Sequence, residues 1–252
     1  ISIFAQYAEG FRSPDYESAN ISFTNFAFYY SVAPNPNLDS EESDGYEIGL
    51  RGNNILGSSR LNWSLVYYEN DYEDFIDTQL TGRSPRGISI YQYVNLNDVT
   101  IDGFEFEAQA LINENYSLYV GYSNSDGEQN GEKLISIDPD QTIIGLNWSS
   151  DTGRFNIRGF ANITEGSIDG LAPVCGRSGC SNLVETPGRA TFDLFFNANI
   201  SDNIALNMAI RNITNEKFYD WASINGKTVD DPELELYSNS GRTFSASIKY
   251  IF

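Results

Sequence analysis

Histidine is absent from this sequence of 252 residues, which limits the chemistry that its other side chains can do. Ser-His and Cys-His catalysis and histidine metal sites are excluded, because each needs an imidazole as base or ligand. Paired carboxylates could act on glycosides, but no spacing in the sequence selects one pair of acids. We therefore predict that the chain is not an enzyme and carries no cofactor.

Two cysteines, Cys175 and Cys180, are separated by four residues. Such a pair could form half of a zinc site, but the sequence offers no second pair of ligands. A disulfide that closes a short loop in an oxidising compartment is the favoured interpretation. We predict a Cys175–Cys180 disulfide and no metal site.

Acidic side chains dominate the charge, and the net charge is -20. This balance excludes nucleic acid as a partner, because binding to phosphates needs a basic surface. Three acidic clusters could hold calcium, a cation that prefers carboxylates, but they lack a spaced loop motif and are better explained as solvated loop surface. They are Asp39/Glu41/Glu42/Asp44, Asp71/Glu73/Asp74/Asp77 and Asp230/Asp231/Glu233/Glu235.

The last residues of the chain predict a β-strand with one apolar and one polar face. Phe244, Ala246, Ile248, Tyr250 and Phe252 alternate with polar residues, apart from an isoleucine next to the last position. A strand that ends on an aromatic residue is typical of bacterial outer-membrane barrels, and aromatics make up 14% of the chain. We predict that Tyr250 and Phe252 form the terminus at which such a barrel assembles.

The rest of the chain supplies further strands of the same kind. Short and long connections alternate between them, as in an up-and-down barrel with short periplasmic turns and long extracellular loops. The predicted fold is therefore all-β, a transmembrane antiparallel up-and-down β-barrel with its C-terminus in the periplasm. The predicted strands span residues 1–12, 44–53, 60–77, 90–112, 116–126, 141–150, 154–165, 188–200, 204–214 and 241–252. The long connections span 13–43, 78–89, 127–140, 166–187 and 215–240.

The two edges of this sheet cannot stay unpaired in lipid, because each free N–H and C=O group there costs several kcal/mol. The first and last strands either pair with each other, as a self-closed ten-stranded barrel, or pair with strands from elsewhere. The chain opens at Ile1 inside a predicted strand, so we expect a processed or truncated chain.

Several motifs, in their order, resemble the C-terminal barrel half of TonB-dependent receptors, nearest to the haem/haemoglobin receptor branch. That branch carries an F-R-A-P box and an N-P-N-L box, followed by a glutamate-rich step into a strand. The matching segments are Phe11-Arg12-Ser13-Pro14, Asn35-Pro36-Asn37-Leu38 and residues 41–52, with further matches at 101–107, 212–219 and the terminal Phe252.

This resemblance implies a barrel of about 22 strands with an N-terminal plug, driven by TonB from the inner membrane. Residues 1–252 would supply about the last ten strands, and we expect the plug and the N-terminal strands in a separate chain. The implied function is import of an iron chelate, haem or siderophore, across the outer membrane. The lipid and lipopolysaccharide of the outer membrane would be further partners. Divalent ions would bridge the acidic loops to the phosphates of lipopolysaccharide. A structural anchor in a surface assembly is the alternative function.

The resemblance also suggests the residues that contact the ligand, within connection 13–43 and with help from 166–187 and 215–240. The haem branch places a histidine between its two boxes, and this chain has none there. Tyrosinate can ligate haem iron, so Tyr29 or Tyr30 could take its place, or both could simply pack the loop. The candidate ligand-binding residues are Phe11, Arg12, Tyr29, Tyr30, Asn35 and Asn37.

Overall fold

The computed structural model describes residues 1–26, 29–57, 59–167, 174–176 and 179–252, most of which form β-strands. The strands are β1 (Ser2–Arg12), β2 (Phe23–Asn25), β3 (Tyr30–Ala33), β4 (Glu41–Leu56), β5 (Ser59–Glu73), β6 (Phe75–Arg83), β7 (Ser89–Leu96), β8 (Val99–Leu111), β9 (Tyr116–Gln129), β10 (Glu132–Lys133), β11 (Gln141–Ser149), β12 (Phe155–Thr164), β13 (Val174–Gly176), β14 (Gly179–Ser181), β15 (Arg189–Ser201), β16 (Ile204–Arg211) and β17 (Thr243–Tyr250). The helices are α1 (Tyr16–Asn20), α2 (Trp221–Ile224) and a 3-10 turn at Leu234–Tyr237. No helix in the described ranges is long and apolar enough to cross a membrane.

Ten long strands form one antiparallel sheet in the order β1-β4-β5-β8-β9-β11-β12-β15-β16-β17, with β10 added to β9. Each long strand pairs with the next long strand along the chain, so the sheet is a series of hairpins. Short connections alternate with long ones, because the tight turns all lie at one end of the sheet. The predicted all-β, up-and-down arrangement is confirmed.

The first and last strands are the open edges of this sheet. Among the described residues, β1 pairs with β4 alone and β17 pairs with β16 alone. The self-closed ten-stranded barrel is therefore not formed, and each edge strand has one unpaired side among the described residues.

One face of the main sheet is apolar across all ten strands. Ile248 lies opposite Leu206, which lies opposite Ala198 on the next strand, and paired residues of antiparallel strands share a face. Most large apolar side chains on this face are exposed, so no core covers it. The exposed members are Ile3, Tyr7, Tyr46, Ile48, Leu65, Phe104, Tyr116, Ile144, Leu146, Phe155, Ile157, Ile163, Phe192, Leu194, Met208, Phe244, Ile248 and Tyr250.

The opposite face, the polar face, carries amide, hydroxyl and charged side chains. Asn197 donates to Asn207 on the next strand (Nδ2 to Oδ1, 2.7 Å), and the register places Ser247 opposite Asn207. Such groups are costly to bury without partners and suit a hydrated interior. Further members are Gln6, Glu47, Arg51, Ser64, Glu105, Glu107, Ser123, Asn147 and Arg158.

The structure differs from the prediction in two long strands and in most of the long connections. Predicted strands 60–77 and 90–112 are each divided, because Asp74 and Asp98 adopt left-handed φ angles of 53° and 56° between β5 and β6 and between β7 and β8. Apolar residues lie on both sides of each kink and no glycine or proline marks it, so the sequence gives no strong signal for the break. Connection 13–43 forms α1, β2 and β3, and connection 215–240 forms α2 and the 3-10 turn.

Candidate ligand-binding surface

A second sheet lies among the long connections. It contains four strands in the order β2-β3-β7-β6, and we call it the loop sheet. Its β3 and β7 run parallel, whereas the other two pairs are antiparallel. Connection 13–43 and the β6–β7 hairpin thus form one structure, although the paired residues Tyr30 and Ser89 are far apart in the sequence.

Three aromatic rings line one face of the loop sheet, and we call them the aromatic row. The ring of Tyr30 is 5.5 Å from that of Phe23 and 6.4 Å from that of Tyr91, both edge to face. The register adds Val32 and Leu80 to the same face. Phe23 and Leu80 are exposed, so this face is an apolar surface open to solvent.

Tyr29 occupies the turn that leads into β3. Its φ is 54°, in the left-handed region that side chains other than glycine seldom adopt. Its carbonyl accepts the N–H of Ser89 at 2.8 Å, which holds this backbone against β7. The side chain is 62% exposed, so the phenol of Tyr29 is open to solvent at the residue before β3. Residues 27 and 28 lie outside the described ranges.

Arg12, in the motif at residues 11–14, forms an ion pair with Glu41, the first residue of the motif segment 41–52. Its Nη2 is 2.7 Å from Oε2 of Glu41, whose side chain is only 9% exposed. The same oxygen accepts the backbone N–H of Ile76 at 3.0 Å. Glu41 thereby joins the end of β1 and the start of β4 to β6 of the loop sheet. The neighbouring Phe11 is exposed on β1 and lies opposite Glu42.

Replacing Glu41 by alanine is expected to loosen the loop sheet. The change removes the acceptor of the part-buried N–H of Ile76 and the ionic partner of Arg12, and a lost hydrogen bond costs about 0.5–1.5 kcal/mol. We expect faster proteolysis of β6 and β7 in intact cells. Glu42→Ala removes an exposed carboxylate at the next position and is the matched control. Equal proteolysis of both variants would contradict the role given to Glu41.

Asn35 and Asn37 lie in the segment that runs beside β7. Asn35 donates from Nδ2 to the carbonyl of Tyr93 at 2.9 Å, and its Oδ1 accepts the N–H of Asn37 at 3.2 Å. These bonds fold the Asn-Pro-Asn turn and fix it to the loop sheet. Asn35 therefore has a positioning role, and a contact of either asparagine with ligand stays a prediction.

Two residues of the aromatic row, Phe23 and Tyr91, were not among the predicted site residues. The alternation in 89–96 predicts a strand with Tyr91 and Tyr93 on one face. It does not show that this strand pairs with β3, which is distant in the sequence. Asn95 was missed for the same reason. Its side chain bonds both the N–H and the carbonyl of Asp39, at 2.9 and 3.1 Å.

The other face of the loop sheet contains Asp77, a half-buried carboxyl group in β6. Burial raises the pKa of Asp77, and the N–H of Thr78, 2.7 Å from its Oδ1, partly opposes this effect. Because the pKa is higher in the folded hairpin than in the unfolded chain, Asp77 favours folding at acid pH. That contribution is lost as the pH rises from the unfolded pKa to the folded one.

The other long connections pack around Trp221 in α2. Val184, Trp221 and Ile224 form a buried apolar cluster, and Trp221 donates from Nε1 to the carbonyl of Ile135 at 2.8 Å. This contact joins connections 127–140, 166–187 and 215–240. The described parts of these connections form one group of loops, and Leu134 of the first also packs against Leu96 of the loop sheet.

The predicted cysteine pair lies in the β13–β14 hairpin. The register places Cys175 opposite Cys180, and Cys180 is disulfide-bonded. The chain has no other cysteine. Of this connection, residues 168–173, 177 and 178 lie outside the described ranges.

The predicted assembly terminus lies at the end of β17. Tyr250 is opposite Ile204 on the apolar face, and its ring is 6.2 Å from that of Phe252. Both rings are exposed, and Phe252 follows the last paired residue. Their role in barrel assembly stays a prediction. In the described part of the chain, no group of three acidic or cysteine side chains is placed to hold a metal ion.

A family model described as "TonB dependent receptor-like, beta-barrel" matches residues 1–213. Among curated proteins, the hemoglobin-haptoglobin utilization protein B of Neisseria meningitidis is 23% identical over 293 residues, covering 100% of this chain and 35% of that protein. The chain thus spans about a third of the length of this relative.

Solved structures share the same fold. The copper transporter OprC superposes with a TM-score of 0.73 at 19% identity, over 99% of this chain and 36% of that one. The siderophore receptor PirA from Pseudomonas aeruginosa gives 0.67 at 15% identity, over 99% of this chain and 39% of that one. At these identities the similarity shows the fold alone.

Proposed function

Because this chain belongs to the TonB-dependent receptor β-barrel family, whose barrels sit in the bacterial outer membrane, we propose that it forms barrel wall and ligand-capture loops of a receptor for an iron chelate. The observation that carries the proposal is the loop sheet, which presents the aromatic row and Tyr29 beside a wall with one apolar face. A relative named for hemoglobin-haptoglobin utilization and a structural neighbour named as a siderophore receptor support a haem or siderophore cargo.

The proposed orientation follows from the two faces of the main sheet. The apolar face contacts lipid, and the polar face lines the interior of the barrel. The long connections then lie outside the cell with lipopolysaccharide around them, and β17 ends in the periplasm. A Cys175–Cys180 disulfide fits this oxidising location.

The open edges of β1 and β17 require further strands, since an unpaired edge is not stable in lipid. We propose that the rest of the receptor, in a separate chain or in the same polypeptide, supplies these strands and a plug that contacts TonB. In this arrangement the residues described here bind and admit the ligand and catalyse no reaction.

The haem version of the proposal gives a spectroscopic prediction. We expect haemin to give a Soret band with the purified receptor, and Tyr29→Phe plus Tyr30→Phe to abolish it, because phenylalanine has no oxygen to ligate iron. Tyr16→Phe is the control, since Tyr16 is an exposed tyrosine of the same connection, on α1. A receptor that gives no band with haemin would contradict the haem version and leave siderophores to be tested.

A further inference from the structure

Two aromatic rings on the polar face lie against glycines of the neighbouring strand. Phe4 of β1 is opposite Gly49 of β4, and a Cβ added at Gly49 would be 2.5 Å from Cε1 of the Phe4 ring. Tyr68 of β5 is opposite Gly103 of β8, and a Cβ added at Gly103 would be 2.8 Å from Cζ of Tyr68. In each case the ring occupies space that any other side chain at the glycine would fill. We call these two pairs the ring-glycine pairs.

Both rings make a further contact beyond the glycine. The guanidinium carbon of Arg51 on β4 is 5.4 Å from the centre of the Phe4 ring. Tyr68 crosses Gly103, and its hydroxyl group bonds that of Ser125, which is opposite Gly103 on β9. Tyr68 thereby joins three adjacent strands, β5, β8 and β9.

The ring-glycine pairs lie between strands that are joined by long connections. Residues 13–40 join β1 to β4, and residues 74–98 join β5 to β8. A short turn, such as residues 112–115 between β8 and β9, fixes the register of its hairpin, but a long connection does not. The alternation of side chains does not fix the register either, because a slip by two residues keeps each side chain on its face. Some other contact must therefore select the native pairing.

We propose that the ring-glycine pairs select the register in which β1 pairs with β4 and β5 pairs with β8 during assembly in the outer membrane. A slip by two residues would place Phe4 opposite Glu47 or Arg51. Tyr68 would likewise lie opposite a residue that has a Cβ. Only the native register then lets both rings lie against the wall. The inference rests on the membrane location in the proposed function and is independent of the ligand.

The test is disulfide crosslinking between β1 and β4 in the complete receptor, in total membranes so that misassembled receptor is counted as well. Gln6→Cys plus Glu47→Cys reports the native register, because these residues are opposite each other. Ala8→Cys plus Glu47→Cys reports a slip by two residues, which would place them opposite each other. In Gly49→Ala the added Cβ displaces the Phe4 ring, and we expect the ratio of slipped to native crosslink to rise about threefold.

Phe4→Ala separates the loss of the contact from a clash, because it removes the ring and adds no atoms. We expect the same rise in the crosslink ratio as in Gly49→Ala, and no further rise in the double variant, since both changes remove one pair. Ile3→Ala is the matched control, because Ile3 is the preceding residue of β1 on the apolar face. Its crosslink ratio is expected to be unchanged.

Three results would overturn the inference. They are an unchanged ratio in both single variants, a rise in Gly49→Ala without one in Phe4→Ala, and an equal rise in Ile3→Ala. Binding of an iron chelate is measured separately on the same membranes. Because the register test does not depend on that binding, its failure would leave the proposed function standing.

Discussion

Met208→Arg is expected to abolish assembly of the protein in the outer membrane, while Asn207→Arg at the preceding residue is expected to leave assembly intact. Met208 lies on the apolar face between Phe196 and Ala246, whereas Asn207 lies on the polar face. An arginine facing the middle of the bilayer costs about 2–4 kcal/mol in an outer-membrane barrel. An arginine in the hydrated interior keeps its water, so the same substitution one residue away has little effect.

Heat-modifiable migration and membrane fractionation of the two variants measure this difference. Loss of the folded band for Met208→Arg alone would support the assignment of the two faces. Equal migration of the two variants, or loss of the folded band for Asn207→Arg alone, would contradict this assignment of the two faces. Such a result would place the apolar face against protein.

Trp221→Ala is expected to disorder the group of loops around α2 without affecting the barrel strands. Trp221 is 3% exposed, and its indole N–H bonds the carbonyl of Ile135 across two connections. Truncation of a buried tryptophan to alanine costs about 3–5 kcal/mol, and here the cost falls on the loops that the side chain joins.

Hydrogen exchange of the purified receptor tests this expectation. Amides near Ile135 and Val184 should exchange much faster in Trp221→Ala, while those of β12 and β15 should be unchanged. Leu236→Ala is the control, because Leu236 is 79% exposed in the same connection. Unchanged exchange in the loops would show that Trp221 does not hold them together.

The barrel strands could be predicted from sequence because each carries its own signal. Alternation in 192–200 and 204–210 shows which residues share a face, and the structure pairs those faces in register. The kinks at Asp74 and Asp98 could not be predicted, because apolar residues lie on both sides of each aspartate and no glycine or proline marks the left-handed position.

The loop sheet could not be predicted because its contacts are distant in sequence. Tyr30 and Tyr91 become neighbours only through the parallel pairing of β3 with β7, which no local pattern encodes. The ion pair between Arg12 and Glu41 could not be predicted either. Both residues lie in motifs of the sequence, but neither motif indicates that the two side chains are in contact.

The most direct test of the account is the mass of the detergent-solubilised particle, with sequencing of every polypeptide that it contains. We predict a particle mass well above the 28.2 kDa of these residues. The additional polypeptide would supply strands bonded to β1 and β17 and a plug within the barrel. A folded particle made of these residues alone, with β1 paired to β17, would contradict it.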